Sequence, residues 1–88
     1  MTLQQLEYFV SAAHNLNFSK TAEMFFVSQS AITQQIRSLE KELKLDLFVR
    51  KNNRISLTDS GQVFMREAEQ ILAKVSDSIE RVHSVRSE

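Results

Sequence analysis

A mainly α-helical fold, three short helices and a two-stranded hairpin followed by one long helix, is predicted by three features of this 88-residue sequence. Apolar residues recur at helical spacing through Leu3, Leu6, Phe9, Val10 and Ala13, and step by four, three and four through Ile32, Ile36, Leu39 and Leu43, the spacing of one helix face. Two strand-like runs, Leu47-Phe48-Val49-Arg50 and Arg54-Ile55-Ser56-Leu57, flank an Asn52-Asn53 pair. Asn tolerates positive φ better than most residues, so the pair reads as a hairpin turn. Beyond it, Met65, Ala68, Leu72, Val75, Ile79 and Val82 repeat the helical step over a much longer stretch.

The first helix opens on Thr2-Leu3-Gln4-Gln5, a capping box in which the Thr side chain meets the N3 amide and Gln5 reaches back. It is expected to run to about Ala13, where the polar His14-Asn15-Leu16-Asn17 breaks the pattern. Ser19 is the expected cap of a short second helix that turns Ala22 and Phe25 or Phe26 inward. Ala22 is small enough for two helices to cross closely. Val27-Ser28-Gln29 makes a tight turn, with Ser28 capping a third helix over about 29–43. Opposite its buried stripe lie Gln29, Ser30, Thr33, Gln34 and Arg37. Thr58-Asp59 caps the last helix, where an acid suits the positive end of the dipole. A helix over 59–86 is roughly 42 Å long at ~1.5 Å per residue. That exceeds what the small domain before it can cover, so its seam calls for a second surface, most simply the same helix of another chain. Two units are therefore expected, residues 1–58 and a linker helix over 59–88.

Length and composition narrow the function. A single small domain of this size is marginal alone. With 42% apolar and 25% charged residues it is an ordinary globular chain, and no apolar run approaches the ~18 residues of a membrane span. The absence of Cys removes thiolate and disulfide chemistry and fits a cytoplasmic setting. His14 and His83 are isolated, and Gly61 is the only Gly, so metal sites, a Ser-His-Asp triad and a phosphate-cradling loop lack their spacing signals. Neither a catalytic residue nor a metal or cofactor is expected. The chain is not read as an enzyme.

Net charge is zero, which taken alone counts against nucleic acid. Its distribution does not. Residues 1–30 carry −1 and residues 58–88 carry −2, while residues 31–57 carry +3, Arg37, Lys41, Lys44, Arg50, Lys51 and Arg54 outnumbering Glu40, Glu42 and Asp46. Those cations lie on the third helix and the hairpin. A helix, turn and helix followed by a basic hairpin is the layout of a winged helix-turn-helix, which places one helix in the DNA major groove.

A resemblance is carried by many residues at fixed offsets between Leu6 and Gly61. Leu6-Glu7-Tyr8-Phe9, Phe18-Ser19, Ala22-Glu23, Val27-Ser28-Gln29, Gln35-Ile36, Leu39-Glu40, Leu47-Phe48 with Arg50, and Leu57-Thr58 with Gly61 all take part. The segment from Leu3 to about Leu72 resembles the N-terminal DNA-binding domain of LysR-type transcriptional regulators. Four positions depart from that pattern: Thr21 before Ala22 replaces a second alanine, Ser30 replaces a frequent Pro, Lys44 a frequent Gly, and Gln34 a frequent Arg. The last bears on which base is read, because Arg favours guanine and Gln favours adenine.

The resemblance implies double-stranded DNA as partner and a homodimer paired through linker helices. It also implies a C-terminal domain holding a small-molecule effector, which these residues do not include. Base contacts are assigned to Gln29, Ser30, Thr33 and Gln34, against the alternative of a solvated face. Ser28 is a helix cap that can also meet a phosphate. Arg37 suits either a phosphate or a surface ion pair. Arg50, Lys51 and Arg54 suit the backbone or minor groove, or the blunting of a strand edge. Lys20 stands within reach of the backbone. The rings of Phe18, Phe25, Phe26, Phe48 and Phe64 are expected in the core or at its rim, and Met65, Ala68, Leu72, Val75, Ile79 and Val82 in the dimer seam. A neutral chain would equally suit a winged helix used only for protein assembly, though such a module has no need of an uncharged polar face beside a basic hairpin.

Overall fold

The computed structural model describes residues 1–86. Its elements follow in the order α1 (Leu3–Asn15), α2 (Phe18–Phe25), α3 (Gln29–Leu43), β1 (Phe48–Lys51), β2 (Arg54–Leu57) and α4 (Asp59–Arg86). Each boundary has a local cause. The capping box forms in full, Thr2 Oγ1 accepting from the Gln5 amide and the Thr2 amide donating to Gln5 Oε1, both at 3.0 Å. The rest of the Gln5 side chain is not idle: Nε2 donates to Gln35 Oε1 at 2.9 Å and ties α1 to α3.

The first helix runs two residues further than its apolar pattern and ends when Leu16 turns left-handed at φ 51°. That turn moves the next cap. Asn17, not Ser19, caps α2, its Oδ1 accepting from the Lys20 amide at 2.9 Å, and Ser19 lies inside the helix. Thr21, where a second alanine was the usual residue, is buried and satisfies its hydroxyl on the Asn17 carbonyl at 3.1 Å. Phe25 turns in and meets Tyr8 edge-on at 4.9 Å between centroids. Phe26 does not follow it. It is the left-handed C-cap of α2 and 94% exposed, so it is neither core nor rim. Ser28 caps α3 as expected, accepting from the Ala31 amide at 3.1 Å. Lys44 takes the left-handed exit at φ 59° that a glycine would take without strain.

Ile32, Ile36 and Leu39 of α3 are buried against Leu6, Phe9 and Ala12 of α1. A chain of rings attaches the hairpin to this core. Phe48 of β1 lies between Phe18 and Phe9, at 5.2 and 5.6 Å, and Phe9 continues to Phe64 of α4 at 5.2 Å. The strands pair antiparallel with Phe48 opposite Leu57 and Lys51 opposite Arg54. Asn52 and Asn53 both have positive φ, 53° and 59°, as a two-residue type I′ turn requires.

Glu40 fixes where the hairpin leaves α3. Its Oε2 accepts from the Leu47 and Phe48 amides at 2.7 and 3.2 Å. Charged acceptors of this kind contribute about 1.5–3 kcal/mol, and deletion leaves two part-buried amides unpaired. Glu40→Ala should therefore destabilise the fold by about 2 kcal/mol, and Glu40→Gln, which keeps an acceptor, by less. Urea midpoints would measure both; equal midpoints for Glu40→Ala and the parent would refute the role.

The long helix uses its apolar stripe twice. Ala68 is fully buried in the chain's own core, and Phe64, Met65 and Leu72 pack beside it. The expected seam thus loses Ala68 altogether, because a residue with no surface left cannot meet another chain. Gly61 comes so near the end of the α3–β1 connection that an added Cβ would lie 2.1 Å from the Leu47 carbonyl oxygen. Further along the same stripe the support ends: Val75 is half-buried, Ile79 is 54% exposed and Val82 is 70% exposed. Ile71 and Val85 are exposed apolar neighbours that the expected seam did not include.

Candidate nucleic-acid interface

The buried stripe of α3 decides what its other face shows. With Ile32, Ile36 and Leu39 held inward, Gln29, Ser30, Gln34 and Arg37 are exposed and Thr33 is half-exposed. Gln29, Ser30, Thr33, Gln34 and Arg37 line one shallow concavity along the helix. Ser28 stands at its head as the cap, its hydroxyl also 3.1 Å from that of Ser30. The face carries amides, hydroxyls and one guanidinium, and no carboxylate.

A second cleft joins the first through Gln29. It lies between the start of α2 and the hairpin and is lined by Asn17, Ser19, Gln29, Arg50, Asn53 and Arg54, together with the apolar Leu16, Phe18 and Ile55. The three hairpin cations do not act as one set, since Arg50 and Arg54 line this cleft and Lys51 does not. By register Arg50 shares a face with Phe48, Ile55 and Leu57, the face that packs inward, whereas Lys51 and the Arg54 paired with it project from the other side, Arg54 reaching the cleft from beside the turn. Lys51 and Lys20 are exposed and line neither cleft. Asn53, Asn17 and Ser19 were absent from the sequence-based site. Asn53 had a visible signal as a turn residue, but its place in the cleft depends on how the hairpin docks.

The cations here are unspent. Among the described residues the ion pairs are the Met1 ammonium with Glu42, His14 with Glu69 at 2.8 Å, and Arg81 with Asp77 at 2.9 Å. None involves Lys20, Arg37, Arg50, Lys51 or Arg54. The surface-ion-pair alternative for Arg37 therefore has no partner among the described residues. Nor do the described residues contain a cluster of three His, Cys, Asp or Glu able to hold a metal.

Residues 3–62 match the family model of bacterial regulatory helix-turn-helix proteins of the lysR family. The chain belongs to the LysR family. It is a LysR-type helix-turn-helix DNA-binding domain, and the family's role is regulatory, not enzymatic. This LysR-family chain is 44% identical over 77 residues to the probable RuBisCO transcriptional regulator of Phaeodactylum tricornutum, covering 88% of the chain and 25% of that protein. It is 42% identical over 86 residues to the HTH-type transcriptional regulator CitR of Bacillus subtilis (strain 168), covering 98% and 30%. The chain thus spans under a third of the length of these relatives. Its fold superposes on the DNA-binding domain of CbnR, solved as a complex with DNA, with a TM-score of 0.92 and 34% identity over 98% of this chain and 99% of that one. The winged helix-turn-helix and long final helix expected from the sequence are those of solved LysR-family domains. Among the described residues no helix is long and apolar enough to cross a membrane.

Proposed function

We propose that the chain binds duplex DNA sequence-specifically as a homodimer, with α3 in the major groove and the hairpin on the backbone or minor groove beside it. It would act in the cytoplasm as the operator-reading part of a bacterial transcription regulator, with any effector site outside residues 1–88. The observation that carries this reading is the continuous exposed surface, joined at Gln29, between the uncharged polar face of α3 and the unpaired Arg50 and Arg54. A helix ~10–12 Å across fits a major groove ~12 Å wide. Amides and hydroxyls suit base edges, and cations flanking them suit phosphates. Dimerisation would follow from the outer half of α4, where Ile79 and Val82 are exposed and Val75 is only half-buried, and Ile71 and Val85 extend the same surface. Met65 and Leu72, half-buried already, would contribute only at its edge.

Selection from a randomised duplex pool, followed by fluorescence polarisation at two salt concentrations, tests the reading. The chain should enrich a site with dyad symmetry. Thr33→Ala with Gln34→Ala should cost about 1–3 kcal/mol per lost base contact and erase the preference at those pairs. The salt slope should be about −0.9 per phosphate neutralised. Salt-sensitive binding with no enriched site would leave the domain as an assembly module with incidental affinity.

A further inference from the structure

Where α4 leaves the body of the domain lies a mainly apolar groove that no described residue fills. Val10, Ser11 and Asn15 of α1, Met24 and Phe25 of α2 and Leu72 of α4 line it. It shares no residue with either cleft at the recognition helix. Its outer wall is held in place. Met24 is 55% exposed, yet its sulfur accepts from Asn15 Nδ2 at 3.3 Å and from the Ser11 hydroxyl at 3.8 Å. Methionine is an adaptable contact residue, and here it is fixed with its apolar surface still uncovered. At the far end of α4, Val82 and Val85 are uncovered too. We infer that the groove on α1 and α2 is the seat for the end of the partner subunit's α4, with the partner's Val82 against Leu72 and the partner's Val85 over Val10 and Met24. The inference rests on the homodimer proposed above.

Leu72 is the link between groove and seam. It walls the groove and also begins the run Leu72, Val75, Ile79, Val82, whose last two members are exposed. The steps of that run are three, four and three, the same read in either direction. Two such runs meet completely in an antiparallel pair, Leu72 against the partner's Val82 and Val75 against the partner's Ile79. The partner's Val85, one turn on, then lies beyond Leu72 and over the groove. Two-fold symmetry fills both grooves at once. A parallel pair also aligns the run, but it leaves Val85 about 20 Å from the groove at ~1.5 Å per residue. Area favours the same occupant. The seam's few aliphatic side chains fall short of the ~800 Å² per partner that a stable interface buries. The groove adds apolar surface continuous with them. Each reading domain would thereby be tied to the other chain's helix, which fixes the separation of the two α3 helices as well as the affinity of the pair.

The chain has no Cys, so introduced thiols report only on their own neighbours. The experiment treats Met24→Cys with Val85→Cys, and each single variant, with a short bis-maleimide after sedimentation and circular dichroism. The double variant should yield a covalent dimer and the single variants almost none. Where Met24→Cys itself weakens folding or pairing, Glu7→Cys, exposed on the same groove, takes its place with the same expected outcome. A covalent dimer from Val85→Cys alone would mark a parallel pair and overturn the inference. A double variant that sediments as a dimer without crosslinking would overturn it equally, and would leave the homodimer standing. Independently, Met24→Asp should raise the dimer dissociation constant by about tenfold or more, since its charge would be buried unpaired, with the helical signal unchanged. An unchanged constant would remove the groove from the interface. A parent chain that sediments as a monomer would bring down the homodimer and this inference together.

Discussion

Gly61→Ala should lower the stability of the domain by about 2 kcal/mol, equivalent to a fall in Tm of roughly 10 °C for a chain of this size. Two effects oppose one another. Alanine is the better helix former by up to ~1 kcal/mol, and Gly61 lies in the first turn of α4. Against this, the new methyl would meet the Leu47 carbonyl oxygen at 2.1 Å and Leu57 Cδ2 at 3.0 Å. The oxygen is backbone and already accepts from the Thr58 amide at 3.0 Å, so it cannot withdraw without breaking that bond. Overpacking against a fixed backbone wins over propensity gained at a helix end. Thr58 would be disturbed in turn, since its Oγ1 accepts from the Gly61 amide and donates to the Asp46 carbonyl. Thermal melts at one protein concentration would measure the loss, with Gln62→Ala, one residue on and exposed, as the comparison. A Gly61→Ala chain melting with or above its parent would show that the contact relaxes freely.

Ile79→Asp should convert the proposed dimer to a monomer while leaving the fold of each chain in place. In a lone chain Ile79 is more than half exposed, so a charge there costs within about 0.5 kcal/mol. In a dimer the same carboxylate would be taken out of water twice, once from each chain, with no cation opposite it within the stripe. Sedimentation should show the parent as a dimer and Ile79→Asp at the mass of one chain, with unchanged helical circular dichroism. Affinity for a two-half-site operator should then fall by about 10²–10⁴, because the second half-site is no longer bound at high effective concentration. A dimeric Ile79→Asp would place the interface elsewhere.

The helical elements were readable because their causes are local. The Thr2–Gln5 box, the Ser28 cap and the Ile32–Leu39 stripe each lie within one or two helical turns, and all three form. The Asn52-Asn53 turn was equally near at hand. What escaped depends on residues distant in sequence or on choices between equals. Asn17 and Ser19 are both good caps, and the left-handed turn at Leu16, an unusual residue for it, decides between them. Phe25 and Phe26 are identical as side chains, yet one packs on Tyr8 and the other sits at a helix exit. The seam of α4 is one unbroken pattern in sequence, and only the position of α1 shows that Ala68 belongs to the core. Within the candidate site, the face of α3 was legible from its periodicity, whereas the lining of the second cleft by Arg50 and Arg54 but not Lys51 needed the docking of the hairpin beside α2. The hydrogen bond from the Ser19 hydroxyl to Gln29 Oε1 spans two helices and leaves no trace in spacing.

The stripe shared between core and exposed surface makes α4 a gauge with two scales. Amide hydrogens around Met65 to Leu72 should exchange with solvent only when the whole domain opens, since their side chains pack against its core. Those from Val75 onward have no such cover within the chain, and would be shielded in proportion to the population of paired molecules. Protection in the outer half should rise with protein concentration while the inner half stays constant. One helix would thus report folding at its beginning and assembly at its end.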